Sequence, residues 1–215
     1  MALPFDPAVA TAMLGKADRR LGRLIERAGP FTMRPQRMHS PFEALARAIV
    51  YQQLSGKAAA TIYGRVTELF PDERRLQPQH ILDTPDELLR GAGMSRAKVA
   101  AIKDLAGKTL EGVVPTLPRL RRMDDAEILS RLVAVRGIGS WTVEMLLIFR
   151  LGRPDVLPAS DLGVRKGFML TYKTGDLPAA SDILRHGERW RPYRSVASWY
   201  LWRAVDLARR PKAEA

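Results

Sequence analysis

The chain has no cysteine and only three histidines among its 215 residues. The missing thiols exclude disulfides, cysteine-ligated zinc and iron–sulfur clusters, and point to a reducing compartment. His39, His80 and His186 are scattered without the ligand spacing of a transition-metal site and are expected to be structural or solvent-exposed. Long apolar runs are also lacking. The best candidate, 143–151, is interrupted by Glu144 and Arg150 and falls short of the ~18 residues needed to span a bilayer. Residues 1–10 show no basic start followed by an apolar stretch, so no secretory signal and no membrane association are expected. Acidic residues are in short supply: 35 Lys and Arg against 23 Asp and Glu leave a net charge of +12. Such a surface attracts polyanions, of which nucleic acid is the commonest, although a merely solvated surface would carry the same excess.

What is present is helical patterning. The hydrophobic fraction of 46% suits a folded chain. Phe42, Leu45, Ala46, Ile49 and Val50 recur at helical steps behind a Ser40-Pro41 start, with Glu43 completing a capping box. A second helix after Ser55-Gly56 sets Ala59, Ile62, Val66 and Leu69 inward, and further helices are predicted over 84–90, 95–108, 124–135, 141–151, 161–171 and 194–209. In the third and fourth of these inner faces, Val99, Ile102 and Leu105, then Ile128, Leu129 and Leu132, point to the core. No sustained period-two alternation, internal repeat or low-complexity tract is visible, so the fold class is all-α. The tail 209–215 is charged and expected to fray.

The most informative segment is Leu132-Val133-Ala134-Val135-Arg136-Gly137-Ile138-Gly139-Ser140-Trp141-Thr142. It joins two helices through Gly-Ile-Gly. The glycines allow positive φ and close backbone approach. The free N–H groups of the following helix, which Ser140 is placed to cap, favour an anion such as phosphate. Taken alone, this reads equally as a plain helical hairpin. Twenty residues past Trp141, after Gly152, Pro154 and Pro158, comes Ser160-Asp161-Leu162-Gly163-Val164-Arg165-Lys166, in which Asp161 is either a helix cap or a functional carboxylate.

The joint pattern resembles the helix-hairpin-helix DNA glycosylase superfamily, and within it the compact, all-helical relatives of 3-methyladenine DNA glycosylase II. The longer bacterial form, with its N-terminal β-rich domain, is a poorer match. The likeness covers about 40–208. It extends to Ala48-Ile49-Val50-Tyr51-Gln52-Gln53-Leu54-Ser55, which looks like the family's minor-groove probe. Gly91-Ala92-Gly93-Met94-Ser95-Arg96-Ala97-Lys98 looks like its Gly-x-x-x-x-Lys turn, and Trp190-Arg191-Pro192-Tyr193-Arg194-Ser195 resembles its C-terminal signature. The resemblance implies two helical subdomains, 42–152 and 1–41 with 153–215, flanking a DNA-binding cleft. It implies a monomer acting on double-stranded DNA that contains damaged bases, in the bacterial cytoplasm or the eukaryotic nucleus. The activity implied is hydrolysis of the N-glycosidic bond of alkylated bases at the start of base excision repair.

Residue roles follow from the same likeness. Asp161 is the essential carboxylate, which stabilises the cationic sugar and orients or deprotonates water. Trp141 and Trp202, with Tyr51 as a further candidate, line the base pocket, where an indole face suits a cationic alkylated purine; the alternative for each is core packing. Trp190 and Trp199 are assigned to the core. Gln53, with Leu54 beside it, falls at the position that fills the gap left by the extruded base, the alternative for Gln52 and Gln53 being plain surface polar residues. Arg136, Gly137, Gly139, Ser140, Thr142, Arg165 and Lys166 are expected to contact DNA. No cofactor is expected, apart from a structural Na+ or K+ on the backbone carbonyls of Val133, Val135 and Ile138.

A non-catalytic DNA-binding module, a glycosylase for oxidised or mismatched bases, and an RNA-binding helical protein remain open alternatives. Strand-nicking relatives carry a lysine where this chain has Trp141; without an amine there, no Schiff base with the sugar forms at that position. Borohydride trapping on alkylated duplex DNA is therefore expected to give no strong adduct with the wild-type chain, and a strong adduct would overturn the monofunctional reading.

Overall fold

A computed structural model describes residues 3–71 and 75–209, and among them every regular element is helical. In chain order these are α1 (Pro7–Ala17), α2 (Arg19–Ala28), α3 (Pro41–Tyr51), α4 (Gly56–Glu68), α5 (Pro78–Asp83), α6 (Asp86–Gly91), α7 (Arg96–Leu110), α8 (Leu117–Arg122), α9 (Asp125–Leu132), α10 (Ser140–Leu146), α11 (Leu162–Tyr172), α12 (Ala180–Gly187) and α13 (Arg194–Arg209). A π-helical turn, Leu147–Leu151, continues α10, and a 3-10 turn, Glu188–Trp190, follows α12. Among the described residues no helix is long and apolar enough to cross a membrane.

Contacts divide the chain into two units: a middle unit, Arg37–Val143, and a terminal unit built from Met1–Gln36 and Glu144–Ala215. The expected boundary at 152 is thus too late. Residues 144–152 join the terminal unit, where the Phe149 carbonyl accepts the Gln36 N–H at 2.8 Å. Gly152, at φ +70°, also lies so close to Pro35 that a Cβ on it would stand 2.9 Å from the ring.

In the middle unit, α7 packs against α3, α5 and α6, and α3 against α4. The expected face of α3 is buried in full, and Ser40 caps that helix by accepting the Glu43 N–H at 3.4 Å. Val99, Ile102 and Leu105 of α7 are buried as patterned. In α4 and α9 the pattern overreaches: Ile62, Leu69 and Leu129 are half-buried, because those helices lie at the edge of the unit and are covered on a narrower stripe. Helix α9 ends at Leu132, three residues before the expected end, to leave room for the turn into the hairpin.

The terminal unit packs α11 on α13 and α2, and α13 on α2 and α1. Its centre holds a buried carboxylate. Asp18 Oδ1 caps α2 by accepting the Arg20 and Leu21 N–H groups, both at 3.1 Å. Its Oδ2 accepts the Tyr172 hydroxyl at 2.6 Å and the Trp190 indole N–H at 3.1 Å, and lies 2.8 Å from His186 Nε2. One side chain thereby ties α2 to α11, α12 and the 3-10 turn. Trp190 is fully buried, as expected, whereas Trp199 is half-buried, edge-on to Phe31 at 4.9 Å with Arg203 over its ring. Burial alone would raise the Asp18 carboxyl; hydrogen bonds from His186, Tyr172, the Leu21 N–H and Trp190 outweigh it and hold the group well below the ordinary carboxylate value.

Because that folded-state value is depressed, Asp18 stabilises the protein above the ordinary carboxylate pKa and loses this contribution as pH falls through and below it. Asp18→Asn turns an amide toward donors that need an acceptor. Denaturant unfolding at neutral pH should show a loss of about 2–4 kcal/mol, narrowing in acid; equal stability at neutral pH would refute the role.

Candidate active site

Asp161 stands at the head of α11 in the terminal unit. Its Oδ1 accepts two hydrogen bonds, from the Val164 N–H at 2.8 Å and from the Trp202 indole N–H at 2.7 Å. Asp161 is thus the N-cap of α11, and a cap made through one oxygen does not exclude a functional role for the carboxylate. The approach segment, 153–160, is pinned from below. Ser195, fully buried, donates its hydroxyl to the Arg153 carbonyl at 2.7 Å and accepts the Val156 N–H at 2.9 Å. Arg194 grips the Asp155 carboxylate through Nε at 2.7 Å and Nη2 at 3.0 Å, and Arg191 adds a contact at 2.6 Å. The segment 190–195, which sequence likeness singled out, thus holds the loop that delivers Asp161.

The Trp202 contact depends on α11 and α13 running very close together. Gly163 and Gly167 lie four residues apart on the face of α11 that meets α13. A Cβ on Gly167 would stand 2.0 Å from the Leu201 carbonyl oxygen, and one on Gly163 would stand 2.6 Å from Trp202 Cδ1 and 2.9 Å from its Nε1. Only glycine admits the indole at these positions. Phe149, on the π-helical turn, stacks on the other side of Trp202 with ring centroids 5.5 Å apart. Neither glycine nor Phe149 was singled out from the sequence. The i,i+4 glycine pair within a helix, where glycine is costly, was the available signal.

The middle unit holds a second cluster. Gly137 adopts φ +78°, and a Cβ there would lie 3.2 Å from Ala101 of α7. Gln52 Nε2 donates to the Gly137 carbonyl at 2.8 Å, so Gln52 brackets the hairpin and is not a loose surface group. Asp104 Oδ2 accepts the Arg136 N–H at 2.7 Å while Lys108 holds the same carboxylate. Lys98, last residue of the Gly-x-x-x-x-Lys turn, donates to the carbonyls of Val50 and Gln52 at 2.7 and 2.8 Å, closing the C-terminal end of α3; burial lowers its pKa. Above that closed end the chain turns sharply, with Gln53 at φ +56°, an uncommon conformation for a residue with a side chain. Gln53 and Leu54 are both exposed there. Tyr51 is half-buried, its hydroxyl accepting Arg47 Nη2 at 2.8 Å and its ring lying under that guanidinium.

Of the other expected residues, Trp141 is 47% exposed at the head of α10, and Arg136, Gly139, Ser140 and Lys166 are exposed. Two expectations change. The Thr142 side chain is buried and its N–H bonds the Gly139 carbonyl at 3.0 Å, so it shapes the hairpin. Arg165 donates Nε to the Pro178 carbonyl at 2.9 Å, bracing the loop after α11. Among the described residues, no cluster of three His, Cys, Asp or Glu side chains could hold a metal ion. Of the carbonyls expected to hold a monovalent cation, that of Val135 accepts the Ile138 N–H at 3.0 Å. Finally, Glu144, the charge that breaks the apolar run of α10, has its Oε2 buried without a hydrogen-bond partner among the described residues. Burial, then the nearby Asp161 carboxylate, push its pKa up to about 7.

Comparison with known proteins agrees with this arrangement. Residues 46–192 match the model of the HhH-GPD superfamily base excision DNA repair proteins. DNA-3-methyladenine glycosylase 1 of Schizosaccharomyces pombe is 37% identical over 198 residues, covering 91% of this chain and 86% of that one. Its solved structure in complex with abasic DNA superposes with a TM-score of 0.80 over 94% of this chain and 99% of that chain. A DNA-3-methyladenine glycosidase structure from Bacillus halodurans, 35% identical, gives a TM-score of 0.83 over 93% of this chain and 90% of that chain. The hairpin, the capped aspartate and the matched span together place this chain in the HhH-GPD superfamily of base excision DNA repair proteins.

Proposed function

We propose that this protein is a monofunctional DNA glycosylase that hydrolyses the N-glycosidic bond of alkylated bases, of the 3-methyladenine and 7-methylguanine type, in double-stranded DNA. It thereby initiates base excision repair. The observation that carries this reading is the Asp161 carboxylate, fixed at the head of α11 through Val164 and Trp202. It works where DNA is kept, in the bacterial cytoplasm or the eukaryotic nucleus, and as a monomer.

As a base leaves, positive charge builds on the sugar, and a carboxylate already held in place stabilises that charge without having to reorganise. Oδ1 of Asp161 is anchored by the Val164 N–H and the Trp202 indole, so the group is oriented before substrate arrives. An alkylated purine is cationic and departs as a neutral base, which lessens the need for a strong acid at the leaving group. Trp141 has no amine to trap the sugar, so water completes the reaction and leaves an abasic site. The aromatic faces of Trp141 and Tyr51 suit a flat, cationic base. The strained Gln53 turn, with Leu54 beside it, supplies a protruding group to fill the stack after base extrusion. Hairpin amides at Gly137 and Gly139, with Arg136, Ser140 and Lys166, offer contacts to the phosphate backbone. A Na+ or K+ on the Val133, Val135 and Ile138 carbonyls would lend one further positive charge to that backbone contact.

Two variants test the reading. Asp161→Asn keeps an oxygen for the Val164 and Trp202 hydrogen bonds and removes the charge. Duplex binding should survive, while release of alkylated bases should fall by about 10²–10³-fold. Release at the wild-type rate would end the assignment. Gly163→Ala favours the helix intrinsically but forces Trp202 away from Asp161, so excision should fall by on the order of 10²-fold with the helical circular dichroism retained. Undiminished excision would show that the Trp202 contact has no part in the reaction.

A further inference from the structure

We propose that Glu144 is a positioning residue for the reaction, the second carboxyl of an Asp161–Glu144 pair whose charge adds to the field at the sugar. The inference rests on the assignment of Asp161 above and extends it to a residue outside that assignment.

Glu144 is out of place in its own segment. It interrupts an otherwise apolar stretch of α10, between the buried Val143 and the buried Leu146 and Leu147. Its Oε2 is shielded from solvent and makes no hydrogen bond among the described residues. Glu144 as a whole is half-buried, but a carboxyl oxygen shielded without a partner is costly, and such groups concentrate where their chemistry is used. Placement supports this. The segment 144–151 carries Phe149, whose ring lies against Trp202, and the Trp202 indole N–H holds Asp161 Oδ1. The helix that presents Glu144 is thus coupled side chain by side chain to Asp161. It also changes from α to π winding at Leu147, one turn after Glu144, an insertion found often at functional sites.

Charged groups on the surrounding elements leave Asp161 as the one that governs Glu144. On α11, Arg165 is turned to the Pro178 carbonyl, and Lys166 is exposed. On α13, Arg203 pairs with Asp206 and lies over Trp199. Arg150 shares the segment with Glu144 and carries a contact of its own. Burial, then the Asp161 carboxylate, account for the upward displacement to about 7.

Glu144 is therefore neutral in mild acid and ionises across neutral pH. Its ionisation puts a second negative charge near the cation that develops as the base departs, so the chemical step accelerates as pH rises through this range. At an effective dielectric of about 20, a second charge near the reacting sugar is worth on the order of tenfold in rate. The same group has a sign-definite effect on stability. Its folded-state value is raised, so its favourable contribution is full below the ordinary glutamate value and is lost as pH rises through about 7.

The test is single-turnover release of 7-methylguanine from duplex DNA between about pH 5.5 and pH 8.5, corrected for uncatalysed loss, with wild type and Glu144→Gln. The wild-type rate should bend upward near neutrality, and the Glu144→Gln profile should lack that bend. Thermal unfolding without DNA supplies a readout independent of activity: Glu144→Gln should gain stability relative to wild type as pH rises from the ordinary glutamate value to about 7, and hold that gain above it. Parallel rate profiles, or a stability difference that does not change with pH, would overturn the proposal. If the wild type releases no base at all, the assignment of Asp161 fails, a result distinct from parallel profiles.

Discussion

The hydrogen bond from the Trp202 indole to Asp161 Oδ1 constrains more of this protein than any other single contact. For it to form, α13 must approach α11 closely enough that two positions on α11 can carry no side chain, and Gly163 and Gly167 occupy them. The indole must also be held from behind, which Phe149 does from the π-helical turn. The aspartate must arrive at the first turn of α11 in an extended conformation, its side chain folded back to the Val164 N–H. That arrival depends on the loop below it, where Arg194 and Ser195 fix residues 153–156 by charge-assisted and buried hydrogen bonds. Electrostatic stabilisation of a cation needs a charge that is in place beforehand, and much of the terminal unit is shaped by that requirement.

The hairpin of the middle unit is organised on the same principle with different groups. Its backbone is held by side chains that are themselves withdrawn from any ligand: Gln52 on the Gly137 carbonyl, Asp104 on the Arg136 N–H, Lys98 on the end of α3. Fixing these partners leaves the turn one conformation in which to present its amides. The net charge of +12 acts at longer range and less specifically. Several of the cations are internally committed, among them Arg131 to Glu127, Arg191 and Arg194 to Asp155, and Arg165 to a backbone carbonyl. Attraction to a polyanion is thus a property of the whole surface, whereas position on it is set by the rigid turns.

This separation explains what could be read from the sequence. Local rules succeeded where a segment decides its own structure: the Ser40 cap and buried face of α3, the 194–209 helix, the positive φ at Gly137, and Asp161 as an N-cap. They failed where the partner is remote. Asp18 lies 154, 168 and 172 residues from Tyr172, His186 and Trp190, and no periodicity reports such a meeting. The roles of Gln52, Asp104 and Lys98 are invisible for the same reason, since each is an ordinary polar residue until packing selects its carbonyl or amide. The π-helical turn was read as continuous helix, because its apolar pattern fits either winding. Thr142 and Arg165, assigned to DNA contact on family likeness, also carry structural bonds, to Gly139 and Pro178, that the sequence did not announce.

Three carboxyl groups in the terminal unit show how donor supply decides the fate of a buried acid. Asp18 is met by two backbone N–H groups, a hydroxyl, an indole and an imidazole, and these outweigh the cost of burial, so its charge is permanent and structural. Asp161 Oδ1 is held by the Val164 N–H and the Trp202 indole, an arrangement that orients the group. Glu144 Oε2 receives none among the described residues, and partial burial beside Asp161 moves its ionisation into the neutral range. The same functional group thereby becomes a fixed anchor, an oriented charge and a titrating neighbour, according to the number and placement of the donors around it. Since a carboxyl lacking donors has nothing to stabilise its charge, any structural argument for keeping Glu144 would favour glutamine or an apolar residue at that position. A role that uses its ionisation accounts for the acid where packing does not.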